Sequence, residues 1–464
     1  MDLFVEQKRC LDRLVRSIEL LGGRVDIPKF EEIAELIIQT MRGPWRYFHT
    51  LEHIFEVGGS VDPIEDPIEV LAALFHDLVY VQVDQEVNFN IISALCPFVK
   101  EVRSQLVIRD EAELPKDAIY QLVATLFGFI PGQTLSPFAG QNEFLSAVIA
   151  GKCLEPFLPP SAIVQITACI EATIPFREVS ANGLSAIELL HQRLINANRD
   201  FNLGFTDPEL CEIVKRSVRL ANRDVENFAS PDSSNFLDNT WNLMPETNHE
   251  LSNVSYTVGG YRKSLQKMER FLNFLKPELV FQQFMAYPDD KTYAEMICRT
   301  KKNIEVAKLY LGIKLITIAI LEALSYRLGP DIPLSTMMGE LRAPGCTTSA
   351  LEDYLPDIHI LYPLENQLQK QVLDLLEIGR NQESPYDIKN SPVSTFIIKS
   401  IGFAETGNFL NKAHDFFAGD IASEELLSYC DAEVIDTIEI GVMKLFDSRK
   451  IALRKVQLAH KVIS

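Results

Sequence analysis

The stretch Asp66-Pro67-Ile68-Glu69-Val70-Leu71-Ala72-Ala73-Leu74-Phe75-His76-Asp77 decides how this chain is read. Asp66 is a helix N-cap, Pro67 suits the first turn, and Glu69 stands three residues after the cap. Behind them Ile68, Leu71, Ala72, Phe75, Leu78 and Val79 follow the i, i+3, i+4, i+7 spacing of a helix with a buried stripe. His76 and Asp77 are therefore expected late on this helix, beside the stripe. Upstream, Arg46-Tyr47-Phe48-His49-Thr50-Leu51-Glu52-His53 sets two histidines four apart, which on a helix would project from one face about a turn from each other. The chain has 8 His in all, and three of them fall with a carboxylate in fewer than thirty residues. That grouping points to a hydrolytic metal site, because a metal that activates water needs neutral imidazoles and carboxylate, with coordination left open.

Outward from this stretch the pattern is helical nearly throughout, and strand signals are sparse and short, so the expected class is all-α. Helices are expected at about 161–174 (stopped by Pro175), 183–202, and 208–228 after an Asp207 cap. Residues 231–260 change character, with Ser230-Pro231-Asp232-Ser233-Ser234-Asn235 at the start and Val258-Gly259-Gly260 at the end, and read as a connection between a domain at 1–230 and another at 261–464. Helical periodicity resumes at 261–287, 301–328, 364–378 and 424–463. One local echo stands out: Ala197-Asn198-Arg199-Asp200 recurs as Ala221-Asn222-Arg223-Asp224, each copy late on a predicted helix.

Composition narrows the partners. The chain has 464 residues, long enough for two or three domains, and its formal net charge is -20. Such a surface repels phosphodiester backbones and anionic headgroups, so neither nucleic acid nor membrane is an expected partner. A phosphorylated substrate would need a locally positive pocket, from a metal and one or two arginines. The 8 cysteines form no C-x-x-C pair, which disfavours zinc ribbons, redox motifs and disulfide frameworks and leaves buried thiols in a reducing compartment. Met1-Asp2-Leu3-Phe4-Val5-Glu6 carries acid where a signal peptide needs base. The most apolar stretch, Leu309 to Leu324, is interrupted by Lys314 and Glu322 and is expected as a core helix. The expected location is the cytoplasm.

Tyr-x-His-x-x-x-His-Ile followed by Ala-x-Phe-His-Asp resembles the start of the HD superfamily of metal-dependent phosphohydrolases, closest to the bacterial predicted HD phosphohydrolases. The likeness covers roughly residues 30–230 and does not extend over 261–464. It implies an all-helical HD-type domain and a divalent metal (Mg, Mn, Fe, Zn or Co) held by His53, His76, Asp77 and a later aspartate. It also implies that His49 donates a proton to the leaving oxygen, a role suited to a side chain that titrates near neutral pH. The substrate class implied is a small phosphorylated molecule, such as a nucleotide, cyclic nucleotide or phosphate ester. The alternative is a regulatory HD-fold protein that acts through its C-terminal helical half, by binding a protein partner or a second copy.

Two aspartates compete for the last ligand position. Asp224 falls three after Ala221 on the stripe Val214, Val218, Ala221, Val225, Phe228, where a lone buried carboxylate is costly; Asp200 sits similarly after Ala197. Asp224 is favoured because its helix is better capped and more clearly periodic. Only His191 lies between His-Asp and these aspartates, so a two-iron oxygenase is disfavoured. Related phosphohydrolases often carry Thr-x-x-His where this chain has Glu171-Ala172-Thr173-Ile174-Pro175-Phe176-Arg177, without the histidine. Arg177 and Arg46 are candidates for phosphate contact, since guanidinium matches phosphate oxygens bidentately, against the commoner role of such a residue in a surface ion pair. Asp84, Glu86 and Asn88 are candidates to orient water or ligand, or to form a polar loop. His414-Asp415 has no paired histidines upstream and is not expected to be a site.

Overall fold

The computed structural model of the chain describes residues 3–59, 64–84, 89–252, 256–340, 348–384 and 386–462, and Glu86, Asn88 and Cys346 lie outside them. The chain divides into two compact units, one formed by Met1–Ala229 with Leu275–Thr300, the other by Ser230–Phe274 with Lys301–Ser464. Both are helical, and the protein is all-α apart from one short hairpin.

The first unit runs through α1 (Leu3–Leu20), α2 (Ile27–Met41), α3 (Leu51–Val57), α4 (Pro67–Phe75), α5 (Val81–Asp84) and α6 (Phe89–Leu95). The antiparallel pair β1 (Val99–Val102) and β2 (Gln105–Ile108) follows, then α7 (Ala118–Phe127), α8 (Gln141–Leu154), α9 (Pro160–Ala172), α10 (Ala186–Asp200) and α11 (Asp207–Asp224). At its centre lies α4, which packs against α1, α3, α8, α9 and α11. Its start is the expected one, with the Asp66 carboxylate accepting from the backbone N–H of Ile68 and Glu69. The helix is more buried than its single stripe implies, because Val70, Ala73 and Leu74 are covered as well. Each buried Val, Ile, Leu or Phe among them contributes about 1.5–3 kcal/mol when fully removed from water, so α4 is a fixed axis for whatever it carries.

Local capping explains several boundaries. Ser185 and Glu188 form a reciprocal capping box at the start of α10. At α11 the N-cap is Thr206, one residue before the expected Asp207, with Glu209 accepting from the Thr206 N–H. The helix then stops at Asp224, and 226–229 is a single 3-10 turn.

The second unit holds α12 (Ser233–Thr247), α13 (Val258–Phe274), the part of α14 (Asp290–Ser325) beyond Thr300, α15 (Leu334–Met338), α16 (Gln367–Glu377), α17 (Pro392–Ile401), α18 (Thr406–Ala418), α19 (Ser423–Ser428) and α20 (Ala432–Val462). The connection expected at 231–260 is thus mostly helix, and 275–300 returns to the first unit. Polar composition hid α12. Asp232 caps it through the Ser234 N–H, Phe236, Leu237, Thr240, Trp241 and Met244 are buried at helical spacing, and the buried Ser233 hydroxyl donates to Asn303 at 2.7 Å. The apolar stretch expected as a core helix lies in α14, and the two charges that interrupt it are buried and paired: Lys314 with Asp387, Glu322 with Arg262. Among the described residues no helix is long and apolar enough to cross a membrane.

Candidate metal centre

Three elements of the first unit meet at one point. The His53 side chain comes from α3, His76 caps the C-terminal end of α4 with Asp77 in the turn after it, and Asp224 is the last residue of α11. His53 Nε2 stands 3.0 Å from Asp224 Oδ1 and 3.4 Å from Asp77 Oδ2; His76 Nε2 stands 3.1 Å from Asp77 Oδ2 and 3.4 Å from Asp224 Oδ1. The contacts close a ring in which imidazole and carboxylate alternate, and all four atoms lie within 4.8 Å of one another. It is the only such grouping of His, Cys, Asp and Glu among the described residues.

The ring fits a divalent ion. Two ligand atoms each about 2.1 Å from a shared ion stand about 3.0 Å apart at a right angle and about 3.4 Å apart at the tetrahedral angle. His76 Nε2 and Asp77 Oδ2 are buried and, beyond the charge contacts of the ring itself, have no hydrogen-bond partner among the described residues, which suits both to face an ion. His76 Nδ1–H donates to the Ala73 carbonyl at 2.8 Å, which fixes the ring and leaves Nε2 facing the centre, the arrangement common to metal-bound histidines. Without an ion, the four groups hold one another in charged form. Burial favours the neutral forms, but contact with Asp224 and Asp77 pushes His53 up to about 9 and His76 well above its ordinary range. Against the same burial, the imidazoles hold Asp224 down at about 2 and Asp77 well below the usual carboxylate range.

Arginines fix the elements behind this ring. Arg223, beside Asp224, donates to the Val57 carbonyl at the end of α3 at 2.8 Å and pairs with buried Glu69 of α4 at 3.1 Å. One side chain thus ties together all three helices that carry the ring. Arg13 of α1 donates to the Phe55 carbonyl of α3 at 3.0 Å, and Arg216 and Arg219 pair with Asp66 and Glu69 at the start of α4. None of these partnerships is visible from local sequence, since each spans more than forty residues.

The remaining sequence candidates are placed as follows. His49 lies before α3, because Thr50 caps that helix through the His53 N–H; the two histidines therefore do not share a helical face. The rings are nevertheless 5.9 Å apart, and His49 packs edge-on against Tyr80 at 4.5 Å. Asp200 is exposed and pairs with Arg199, so only the second copy of the echo reaches the centre. Arg177 is committed to buried Glu171, with Nη1 at 2.5 Å from Oε1, and Arg193 pairs with the same carboxylate. Arg46 is fully buried and grips Asp84 bidentately at 2.9 and 2.6 Å. His191 lies by Cys211 and Phe284, and His414 pairs with Glu269. One residue near the centre carried no signal in the sequence: Glu143, whose carboxyl feels the charges of Asp77 and Asp224.

Comparison with models of protein families, with curated proteins and with solved structures finds no match to this chain.

Proposed function

We propose that this protein is a metal-dependent phosphohydrolase of the HD type, acting in the cytoplasm on a small phosphorylated molecule. The observation that carries the reading is the ring of His53 Nε2, Asp224 Oδ1, His76 Nε2 and Asp77 Oδ2, with adjacent separations of 3.0–3.4 Å. These residues would hold the ion, and the resemblance of the Tyr-x-His-x-x-x-His and Phe-His-Asp segments to that superfamily supplies the reaction class. A divalent ion bound there supplies Lewis acidity toward a phosphoryl oxygen and acidifies water. The chain's own contribution is fixity, since a buried α4 and the Arg223 bridge keep the ligand atoms from relaxing toward solvent. His49, near the ring and packed on Tyr80, is the proton carrier for the leaving oxygen.

The test is metal content together with a panel of phosphate esters. Purified protein is expected to hold one divalent ion and to hydrolyse at least one ester, with both properties lost in Asp77→Ala; full metal content in that variant would sink the assignment. One observation favours a second reading, a non-catalytic metal-centred regulator: Arg46 and Arg177, the two arginines proposed for phosphate, are both spent on carboxylates. Metal binding without turnover on any ester would select it.

A further inference from the structure

The N-terminal half of α8 packs against α4 and the turn that follows Asp77. Ser146 Oγ accepts from the Val79 N–H at 2.9 Å and Asn142 Oδ1 from the Val81 N–H at 3.3 Å, so this helix is stitched to the turn that follows Asp77. Glu143 lies three residues before Ser146 and therefore on the same face, one helical turn nearer the N-terminus. Its Oε2 is buried and has no hydrogen-bond partner among the described residues. Leaving such an oxygen unpaired is costly, and nearby Arg177, already bound to Glu171, does not bond to it.

We propose that Glu143 lines the metal centre as an acceptor for a water molecule or hydroxyl brought there with the substrate, without itself holding the ion. The inference rests on the phosphohydrolase reading above. In hydrolysis the water oxygen bonds to phosphorus as its proton passes to Glu143, the bond from phosphorus to the leaving oxygen breaks, and that oxygen takes the proton carried by His49. Exchange of one proton with solvent restores both side chains. The environment suits the role: burial, with Asp77 and Asp224 alongside, pushes the Glu143 carboxyl up to about 7, against its own backbone N–H and Arg177.

The experiment uses the full chain, Mn²⁺ and inorganic phosphate at pH 8. Glu143→Gln is expected to keep one Mn²⁺ with affinity changed by a few-fold at most. It should bind inorganic phosphate several-fold more tightly than wild type, because a negative charge has left the site, and hydrolyse nitrophenyl phosphate about 10²-fold more slowly. Tighter phosphate with slower turnover is a split that damaged packing does not produce. Glu143→Ala should show the same tightening, which keeps the test independent of how the amide packs. Unchanged or weaker phosphate binding in both variants, with Mn²⁺ still bound, overturns the role of Glu143 and leaves the centre standing. Loss of Mn²⁺ from Glu143→Gln overturns it by making Glu143 a ligand, and failure of the wild type to bind Mn²⁺ overturns the centre and Glu143 together.

Discussion

Arg46 Nη1 donates to the backbone carbonyl of Asp77 at 2.7 Å, so an arginine considered for phosphate contact stands behind a corner of the His/Asp ring instead. The same guanidinium reaches the Leu78 carbonyl at 3.3 Å and the Asp84 carboxylate, locking the turn from which Asp77 projects. Removing it leaves Asp84 partly buried without its counter-charge and frees two carbonyls. Arg46→Ala is therefore expected to destabilise the first unit by about 3–5 kcal/mol and to weaken metal binding about 10–100-fold. Chemical denaturation and metal titration measure the two effects. An intact transition with only a raised KM would mean that Arg46 serves the substrate after all.

The two copies of Ala-Asn-Arg-Asp make an internal control. Asp224→Ala should abolish tight binding of a divalent ion, as should His53→Ala, His76→Ala and Asp77→Ala, because each removes one corner of a four-atom ring. Asp200→Ala should leave stoichiometry and affinity unchanged, since its exposed carboxylate touches only Arg199. Metal analysis by mass spectrometry on the five variants decides; loss of the ion from Asp200→Ala with retention by Asp224→Ala would reverse the assignment.

What the sequence disclosed here was chemistry confined to one turn of chain. The Asp66-Pro67 start of α4 is readable because cap and proline act on neighbouring N–H groups, and His76-Asp77 at its far end follows by counting turns. His49 misled for the same reason in reverse: Thr50 is a good N-cap, and a helix beginning there removes His49 from the face of His53. Asp224 was legible as the margin of a buried stripe. The real reason it beats Asp200 is tertiary: Arg216, Arg219 and Arg223 bind α11 to the carboxylates at the start of α4, across about 150 residues. Glu143 had no local signature at all, because an unpaired buried oxygen exists only once the surrounding helices are in place.

Protons and a divalent ion would compete for the same four atoms. His53 is raised to about 9 and His76 is raised further from its ordinary range, so in metal-free protein their stabilisation is complete below about pH 6.5 and is lost as pH climbs through the raised values. Asp224, held near 2, and Asp77, also lowered, contribute above about pH 4 and lose that contribution as pH falls through the depressed values. The chelated protein should consequently have its highest melting temperature between about pH 4 and 6.5 as far as this ring is concerned. Saturating Zn²⁺ or Mn²⁺ should shift the optimum upward, since an ion needs the imidazoles without their protons. Calorimetry across pH 4–9 with and without metal tests this, and the difference should vanish in His76→Ala; a metal-induced gain that is flat with pH contradicts the protonated ring.

The second unit has a charged hub of its own. Asp387 Oδ2 accepts from Trp241 Nε1, Tyr261 OH and Lys314 Nζ, each at 2.9 Å, and Arg380 stands 3.7 Å away. Lys314 lies on the apolar stretch of α14 and is buried, so Asp387→Ala leaves a buried cation with no counter-charge and only the Ser391 hydroxyl, at 3.3 Å, and the Trp241 and Tyr261 rings near it. The expected cost is about 3–5 kcal/mol, seen as early melting of the second unit by hydrogen exchange, with metal stoichiometry unaltered. Loss of metal from this variant would show that the halves do not divide the work as their ligands suggest.

The division of the chain makes the last test sharper than a simple truncation. Leu275–Thr300 belongs to the first unit, where Gln282 exchanges two hydrogen bonds with Asn222, N–H to Oδ1 at 2.7 Å and Nδ2 to O at 2.9 Å. Its amide also donates to the Ala172 carbonyl at 2.8 Å, and Phe284 is buried in the same core. Asn222 is two residues from Asp224, so this segment braces the end of the helix that completes the ring. A fragment ending at Gly260 orphans Asn222, worth about 1–3 kcal/mol, and exposes the site of Phe284, worth about 1.5–3 kcal/mol more. It should bind metal weakly even when folded. A chain in which a flexible linker replaces 230–274 and which stops after Thr300 should recover the wild-type stoichiometry. Equal metal affinity in the two fragments would show that the returning segment is dispensable and that residues 1–229 hold the ion alone.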